Sequence, residues 1–428
     1  MRHGNDTYLF GAGAGQDTIS DYGSTAGNVD TVKIVGKLSS EVTLYRGLNA
    51  SNSPSNDLVL KLNGTSDQLT IRNYYSASQY KVEQVVFDDG TVWTLSQMED
   101  LPLLPSTATA YGTSGSETFD LRNVANTTAY GYTSSSSDSG NDTYLFEAGA
   151  GQDTISDYGS ATGNVDTVKI VGKLPSDVTL YRGLNTSNSP SNDLVLKLNG
   201  TSDQLTIRNY YSASQYKVER VVFDDGTVWT LSQMEDLPLL PSTATAYGTS
   251  GSETFDLRNV ANTTAYGYTN GSYDSGNDTY VFGAGAGQDT ISDYGSATGN
   301  VDTVKIVGKL PSDVTLYRGL NASNSPSNDL VLKLNGTSDQ LTIQNYYSAT
   351  QYKVERVVFD DGTEWTLSQM EDLPLLPSTA TAYGTSGSET FDLRNVANTT
   401  AYGYTSGSSD SGNDTYLFGA GAGQDTHQ

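Results

Sequence analysis

The chain has 428 residues, no Cys, 2 His, and 49 acids against 23 bases, a formal net charge of −26. Without Cys there are no disulfides, thiolate metal sites or Cys nucleophiles. The acidic excess argues against nucleic acid and anionic membrane surfaces as partners and favours a cation.

The segment GNDTY begins at Gly4, Gly140, Gly276 and Gly412, a spacing of 136 residues each time. Copies 140–275 and 276–411 differ at 8 positions. The repeats are near-copies and contain no His, which excludes Ser/His/Asp triads and His-ligated metals inside them. His427 falls where the period places Ile19, Ile155 and Ile291, so the chain reads as an excerpt of a longer array. No apolar run is long enough for a membrane span, and no N-terminal signal peptide precedes the patterned sequence.

In chain order, each copy opens on Gly-rich, Asp-centred turns followed by short apolar runs. In the second copy these are GNDTYL and GAGQDTI, centred on Asp142 and Asp153. Looser versions carry Asp166 and, at the start of the unit, Glu117. Strand patterns follow. Val32 and Ile34 alternate around Lys33. Leu58, Leu60 and Leu62 alternate with Val59 and Lys61. Leu69 and Ile71 flank Thr70. Asp88-Asp89-Gly90 predicts a hairpin with a three-residue loop and Gly90 in the left-handed position. That register puts Phe87 and Trp93 on one face. Val92 and Val228 become Glu364 in the third copy, so the neighbouring face is expected to be solvated and Trp365 buried. Thr94–Leu101 reads as one short helix, with a Thr94/Gln97 capping box and Pro102 as its stop. LPLLPSTATAYGTSG (Leu101–Gly115) breaks regular structure. The units therefore read as 1–106 (partial), 107–242, 243–378 and 379–428 (truncated).

The Asp-centred turns resemble the G-G-x-G-x-D-x-U-x nonapeptide of the RTX (hemolysin-type) calcium-binding family. The stretch from Asp166 to Thr230, with DVTL, NDLVL, DQLTI, the Tyr pair and VFDDGT, is similar to the hemolysin-type calcium-binding-related domain. The sequence departs from the family in having few turns per unit, spaced eleven residues apart at Asp142 and Asp153 rather than nine. The resemblance implies an all-β fold: short parallel β-roll turns plus a strand- and hairpin-rich segment, repeated in tandem. It also implies calcium as the bound ion. The candidate ligands are Asp6, Asp17, Asp142, Asp153, Asp278, Asp289, Asp414 and Asp425, because calcium takes six to eight oxygens and such turns present oxygens. Asp166 and Glu117 are weaker candidates. Asp88–Asp89 and Glu99–Asp100 read as turn and helix-end chemistry.

Each complete copy is acidic, with 16 acids and 8 bases over 140–275. Calcium would offset that self-repulsion and fold the turns. The expected function is a calcium-binding, repetitive extracellular protein, adhesin-like or surface-structural, exported by a type I system and stiffened by calcium outside the cell. The alternatives are the calcium-binding part of a secreted toxin or enzyme, or a repeated carbohydrate-binding module using Tyr74, Tyr75 and Tyr80. No catalytic constellation is visible, and the chain is read as a non-enzyme. Cell-surface or matrix glycans are candidate partners, and self-association is left open.

Overall fold

A computed structural model describes residues 4–23, 27–101, 103–104, 108–132, 138–159, 163–237, 239–240, 244–268, 273–295, 299–373, 375, 381–394, 396–404 and 411–427. The unit boundaries expected near residues 106, 242 and 378, and the helix stop at Pro102, lie outside the described residues. The chain divides into two compact units, Met1–Thr179 with Asn192–Met234 and Leu180–Ser191 with Glu235–Gln428. No helix among the described residues is long and apolar enough to cross a membrane.

The third copy lies wholly within the second unit and shows the architecture. Its strands are β1 (Thr245–Tyr247), β2 (Thr254–Asp256), β3 (Thr264–Tyr266), β4 (Thr279–Gly283), β5 (Gln288–Ser292) and β6 (Thr303–Val307). Then come β7 (Val314–Leu320), β8 (Pro326–Leu334), β9 (Gln340–Ile343), β10 (Arg356–Phe359), β11 (Glu364–Thr366) and α1 (Leu367–Asp372). From β1 to β6 the chain alternates between two sheets. One has the order β2-β4-β6-β10-β11, the other β1-β3-β5-β9-β8-β7. The pairs β1/β3, β3/β5 and β5/β9 are parallel, as are β2/β4, β4/β6 and β6/β10. The β7–β8–β9 and β10–β11 pairings are antiparallel. This is a parallel β-roll whose far end is closed by hairpins. The hairpin-rich segment supplies β9 and β10 to the same two sheets, so it extends the roll.

The sequence dictates this through short alternating runs. In β9 the pattern QLTI buries Leu341 and Ile343 and leaves Gln340 and Thr342 half-buried. The inner faces meet in one core that includes Phe255, Tyr280, Phe282, Ile291, Val304, Ile306, Leu332 and Phe359. Leu330, Val331 and Leu332 are all buried, and so are Leu58, Val59 and Leu60. Val59 is thus buried although it alternates with Leu58 and Leu60 along the strand. On the outer ladder its copy Val331 stands between Tyr317 and Thr342.

The local expectations hold. The Asp88-Asp89-Gly90 loop has Gly90 at φ 84°, with Phe87 N–H donating to the Thr91 carbonyl at 2.9 Å. Phe87 and Trp93 pack edge to face, centroids 4.6 Å apart. Val92 is exposed, and so is Glu364, whereas Trp365 is 9% exposed. The helix runs Leu95–Asp100, and Thr94 and Gln97 form the reciprocal capping box. Tyr74, however, is buried, so it offers no face for stacking on a ligand.

Candidate metal centre

An acid precedes each parallel strand of the β2-β4-β6-β10 sheet: Glu253, Asp278, Asp302 and Glu355. The coils stack these residues into a column. Glu253 N–H donates to Asp278 Oδ1 (2.9 Å), Asp278 N–H to Asp302 Oδ1 (2.8 Å), and Asp302 N–H to Glu355 Oε2 (2.8 Å). The second copy repeats the column through Glu117, Asp142, Asp166 and Glu219, with N–H···O distances of 2.8, 2.7 and 2.7 Å. Each carboxylate thus satisfies a backbone donor that the turn would otherwise leave unpaired. The cost is a stack of acids, two of them buried and two half-buried in each column.

Asp278 is joined by Asp274 and Asp293. These three are buried, and one carboxylate oxygen from each lies within 4.8 Å of the others. Asp138, Asp142 and Asp157 form the same group in the second copy. Tyr280 donates its hydroxyl to Asp293 Oδ2 at 2.7 Å and approaches Asp278 Oδ2 at 3.4 Å. Tyr144 does the same to Asp157 (2.6 Å) and Asp142 (3.4 Å). Asp274 Oδ1 accepts from Gly276 N–H at 2.8 Å, which ties the first acid to the turn holding the second.

The electrostatics are those of a cation site. Burial pushes the Asp278 carboxyl up to about 10, and the charges of Glu253, Asp274 and Asp293 add to the rise. Asp142 is likewise pushed up to about 10, by burial and then by Glu117. Asp166 and Asp302 rise to about 8, mainly through burial. Burial also raises Asp157 and Asp293. Gathering three such groups is favourable only where a proton or a metal compensates.

The backbone opposite leaves room. A Cβ on Gly267 would stand 2.5 Å from the Tyr280 hydroxyl, 2.7 Å from Asp278 Oδ2 and 3.0 Å from Asp293 Oδ1. On Gly131 it would meet Tyr144, Asp142 and Asp157 at 2.6 to 2.8 Å. Only glycine leaves that space open. Each of the three carboxylates brings one oxygen to the group and no soft donor joins them, which is the donor type a hard cation such as calcium takes. The residues present therefore fit a calcium ion.

Of the other expected ligands, Asp6 and Asp414 hold the repeat position of Asp142 and Asp278, whereas Asp17, Asp153, Asp289 and Asp425 lie in or next to strands of the other sheet. Asp153 and Asp289 lie in strands of the second sheet, where Oδ1 accepts from Thr127 and Thr263 N–H, each at 2.7 Å. Their Oδ2 atoms are buried without a hydrogen-bond partner, and burial pushes both carboxyls up to about 7. Asp153 opens the strand Gln152–Ser156 and Asp157 follows its end, and it is Asp157 that joins Asp142. Asp425 accepts from Thr399 N–H (2.7 Å), and Asp414 from Glu389 N–H (3.0 Å). Asp6 and Asp17 are exposed. In the first copy Tyr8 donates to Asp21 (3.0 Å), but the position equivalent to Asp138 is Arg2, so that copy lacks one acid of the group.

The residues not anticipated are Asp138, Asp157, Asp274 and Asp293. Their signal is D-S-G-N-D, with an acid four residues before Asp142 and Asp278, and the S-D-Y that ends the next strand.

Fold and site together define a tandem β-roll with buried acidic centres. Residues 57–97, 193–233 and 329–369 match the family described as haemolysin-type calcium binding protein related domain. The three matches recur at the chain's own repeat spacing, and the resemblance to the hemolysin-type calcium-binding proteins holds. A curated relative, the iron-regulated protein FrpA of Neisseria meningitidis serogroup C, is 30% identical over 98 residues. That match spans 22% of this chain and 8% of the relative. The crystal structure of the extracellular lipase LipA from Serratia marcescens covers 67% of this chain and 46% of its own at 16% identity and a TM-score of 0.18.

Proposed function

We propose that the chain is a calcium-stabilised, repetitive extracellular protein with an adhesin-like or surface-structural role, and that Asp138–Asp142–Asp157 and Asp274–Asp278–Asp293 are its calcium ligands. The observation that carries this reading is the burial of three carboxylates around a glycine-lined space, twice at the repeat spacing. Calcium would neutralise the triads and link the loop holding Asp138, the turn holding Asp142 and the strand end at Asp157. At low calcium the same charges hold the turns apart, which suits export of a loose chain. Outside the cell, millimolar calcium matches the weak sites of extracellular modules. The role is binding and scaffolding rather than catalysis. Near-identical copies in tandem supply length and multivalency.

Titration calorimetry of the whole chain tests the site. The reading predicts one ion at each triad, with a Kd on the order of 0.1–1 mM. Asp142→Asn with Asp278→Asn removes both binding events. Calcium uptake unchanged in that double variant would assign the ions elsewhere.

A further inference from the structure

The outer face of the β1-β3-β5-β9 sheet carries a second feature, unrelated to the acidic centres. Tyr247, Tyr266 and Ser292 are in register across β1, β3 and β5, and Gln344 directly follows β9. Their neighbours Ala246, Ala265, Ile291 and Ile343 face the core. Two residues beyond Tyr266 and Ser292, Tyr268 and Tyr294 project from the same face, as the twofold period of a strand requires. Tyr352 closes one side. The result is a cleft of about 560 Å³ lined by five tyrosines with Ser292, Gln344 and Asn345.

The rings form a connected, tilted wall. Centroids are 6.0 Å apart for Tyr266 and Tyr268, 6.3 Å for Tyr268 and Tyr294, and 5.0 Å for Tyr294 and Tyr352. Tyr273 stacks on Tyr294 at 4.9 Å and is 58% exposed. Gln344 and Asn345 are also exposed and offer both donors and acceptors. No acid or base stands among the described residues that line the cleft.

The copies differ here. Tyr273 stands where the neighbouring copies have Ser137 and Ser409, and Gln344 stands where the earlier copies have Arg72 and Arg208. Among 8 differences between adjacent copies, these two fall on one cleft. Together they add an aromatic face and remove a cation.

We propose that this cleft of the third copy is a binding site for a neutral saccharide. An anion is disfavoured, because the described lining holds no base and the chain is strongly acidic, and a cation would find no carboxylate among the described lining residues to pair with, which leaves an uncharged ligand. It must present apolar C–H faces to tyrosine rings and hydroxyls to amides and phenols, as a pyranose does. A hydrocarbon ligand would leave the exposed amides without partners, and a phosphate or sulfate ester would lack a cation.

Titration calorimetry of the whole chain with cellohexaose, maltohexaose, xylohexaose and chitohexaose tests the site, with a decaproline peptide run beside them. Binding of at least one of these sugars is expected. Tyr273→Ser with Gln344→Arg should weaken it about tenfold, the loss of one aromatic face. Both new residues already stand in neighbouring copies, so the fold tolerates them. Tyr294→Ala should weaken binding further. Heat from none of the sugars overturns the proposal, as does sugar binding that neither change moves. Binding of decaproline in place of the sugars overturns it in favour of a peptide groove.

Discussion

At the scale of single residues, each centre depends on a carboxylate that is poorly placed without a cation. The folded carboxyls of Asp142 and Asp278 titrate at about 10, and those of Asp166 and Asp302 at about 8, against an ordinary value near 3.8. Between those limits the folded chain binds more protons than the unfolded one. Its stability is therefore full below pH ~4 as far as these groups are concerned and falls as pH rises through 8 towards 10. In EDTA, urea midpoints measured from pH 5 to pH 9 should decline. Saturating calcium should flatten that decline, since the ion replaces the protons. A metal-free midpoint that rises with pH would remove these carboxylates as the governing groups. The glycines give a second residue-scale prediction. Gly131→Ala or Gly267→Ala puts a methyl group into the oxygen cluster and should abolish calcium-dependent stabilisation of that copy, with about 1–3 kcal/mol lost to overpacking. Calorimetric melts with and without calcium check it, and an alanine variant that still responds to calcium in both copies would contradict the geometry.

At the scale of elements, a buried arginine joins one copy to the next. Arg318 on β7 donates Nε to the Ser327 carbonyl (2.7 Å) and Nη2 to Asn328 Oδ1 (3.0 Å), and Nη1 to the Gly384 carbonyl in the following copy. Its guanidinium lies 4.9 Å from the centroid of the Tyr347 ring. Arg46 makes the equivalent bond to Gly112. Arg318→Ala leaves the buried Gly384 carbonyl without this donor and should cost about 1–3 kcal/mol. Urea unfolding of the whole chain reads this as a lower midpoint, and an unchanged midpoint would show that the arginine does not hold the junction. Elements whose determinants are local were legible in the sequence. The Asp88-Asp89-Gly90 loop, the Thr94/Gln97 cap and the burial of Trp365 each follow from a few adjacent residues. The metal centre was legible only in part. Asp142 and Asp278 stand out because their turns are Gly-rich. Asp157 and Asp293 lie in ordinary strand ends, and what brings them in is coil geometry. Acids 24 and 25 residues apart meet because one coil has that length. Asp153, eleven residues after Asp142, stays apart because it opens the returning strand, whereas Asp157, just past that strand's end, comes back to Asp142. The burial of Val59 likewise follows from a ladder neighbour and not from local alternation.

At the scale of the molecule, a net charge of −26 is spread over near-identical copies, each with its own acidic column. Such an array repels itself, and every bound cation relieves that repulsion locally. Two complete centres, in the second and third copies, would make stability respond to calcium in steps that follow the repeats. An ion that binds only the folded chain adds about 2.7 kcal/mol when present at a hundredfold its Kd. The most direct test is therefore thermal unfolding of the whole chain in EDTA, in calcium and in magnesium, followed by far-ultraviolet circular dichroism and calorimetry. The account predicts a large calcium-specific rise in melting temperature, reversed by EDTA and lost in the Asp142→Asn, Asp278→Asn variant. A chain that melts at the same temperature in calcium and in EDTA would contradict it.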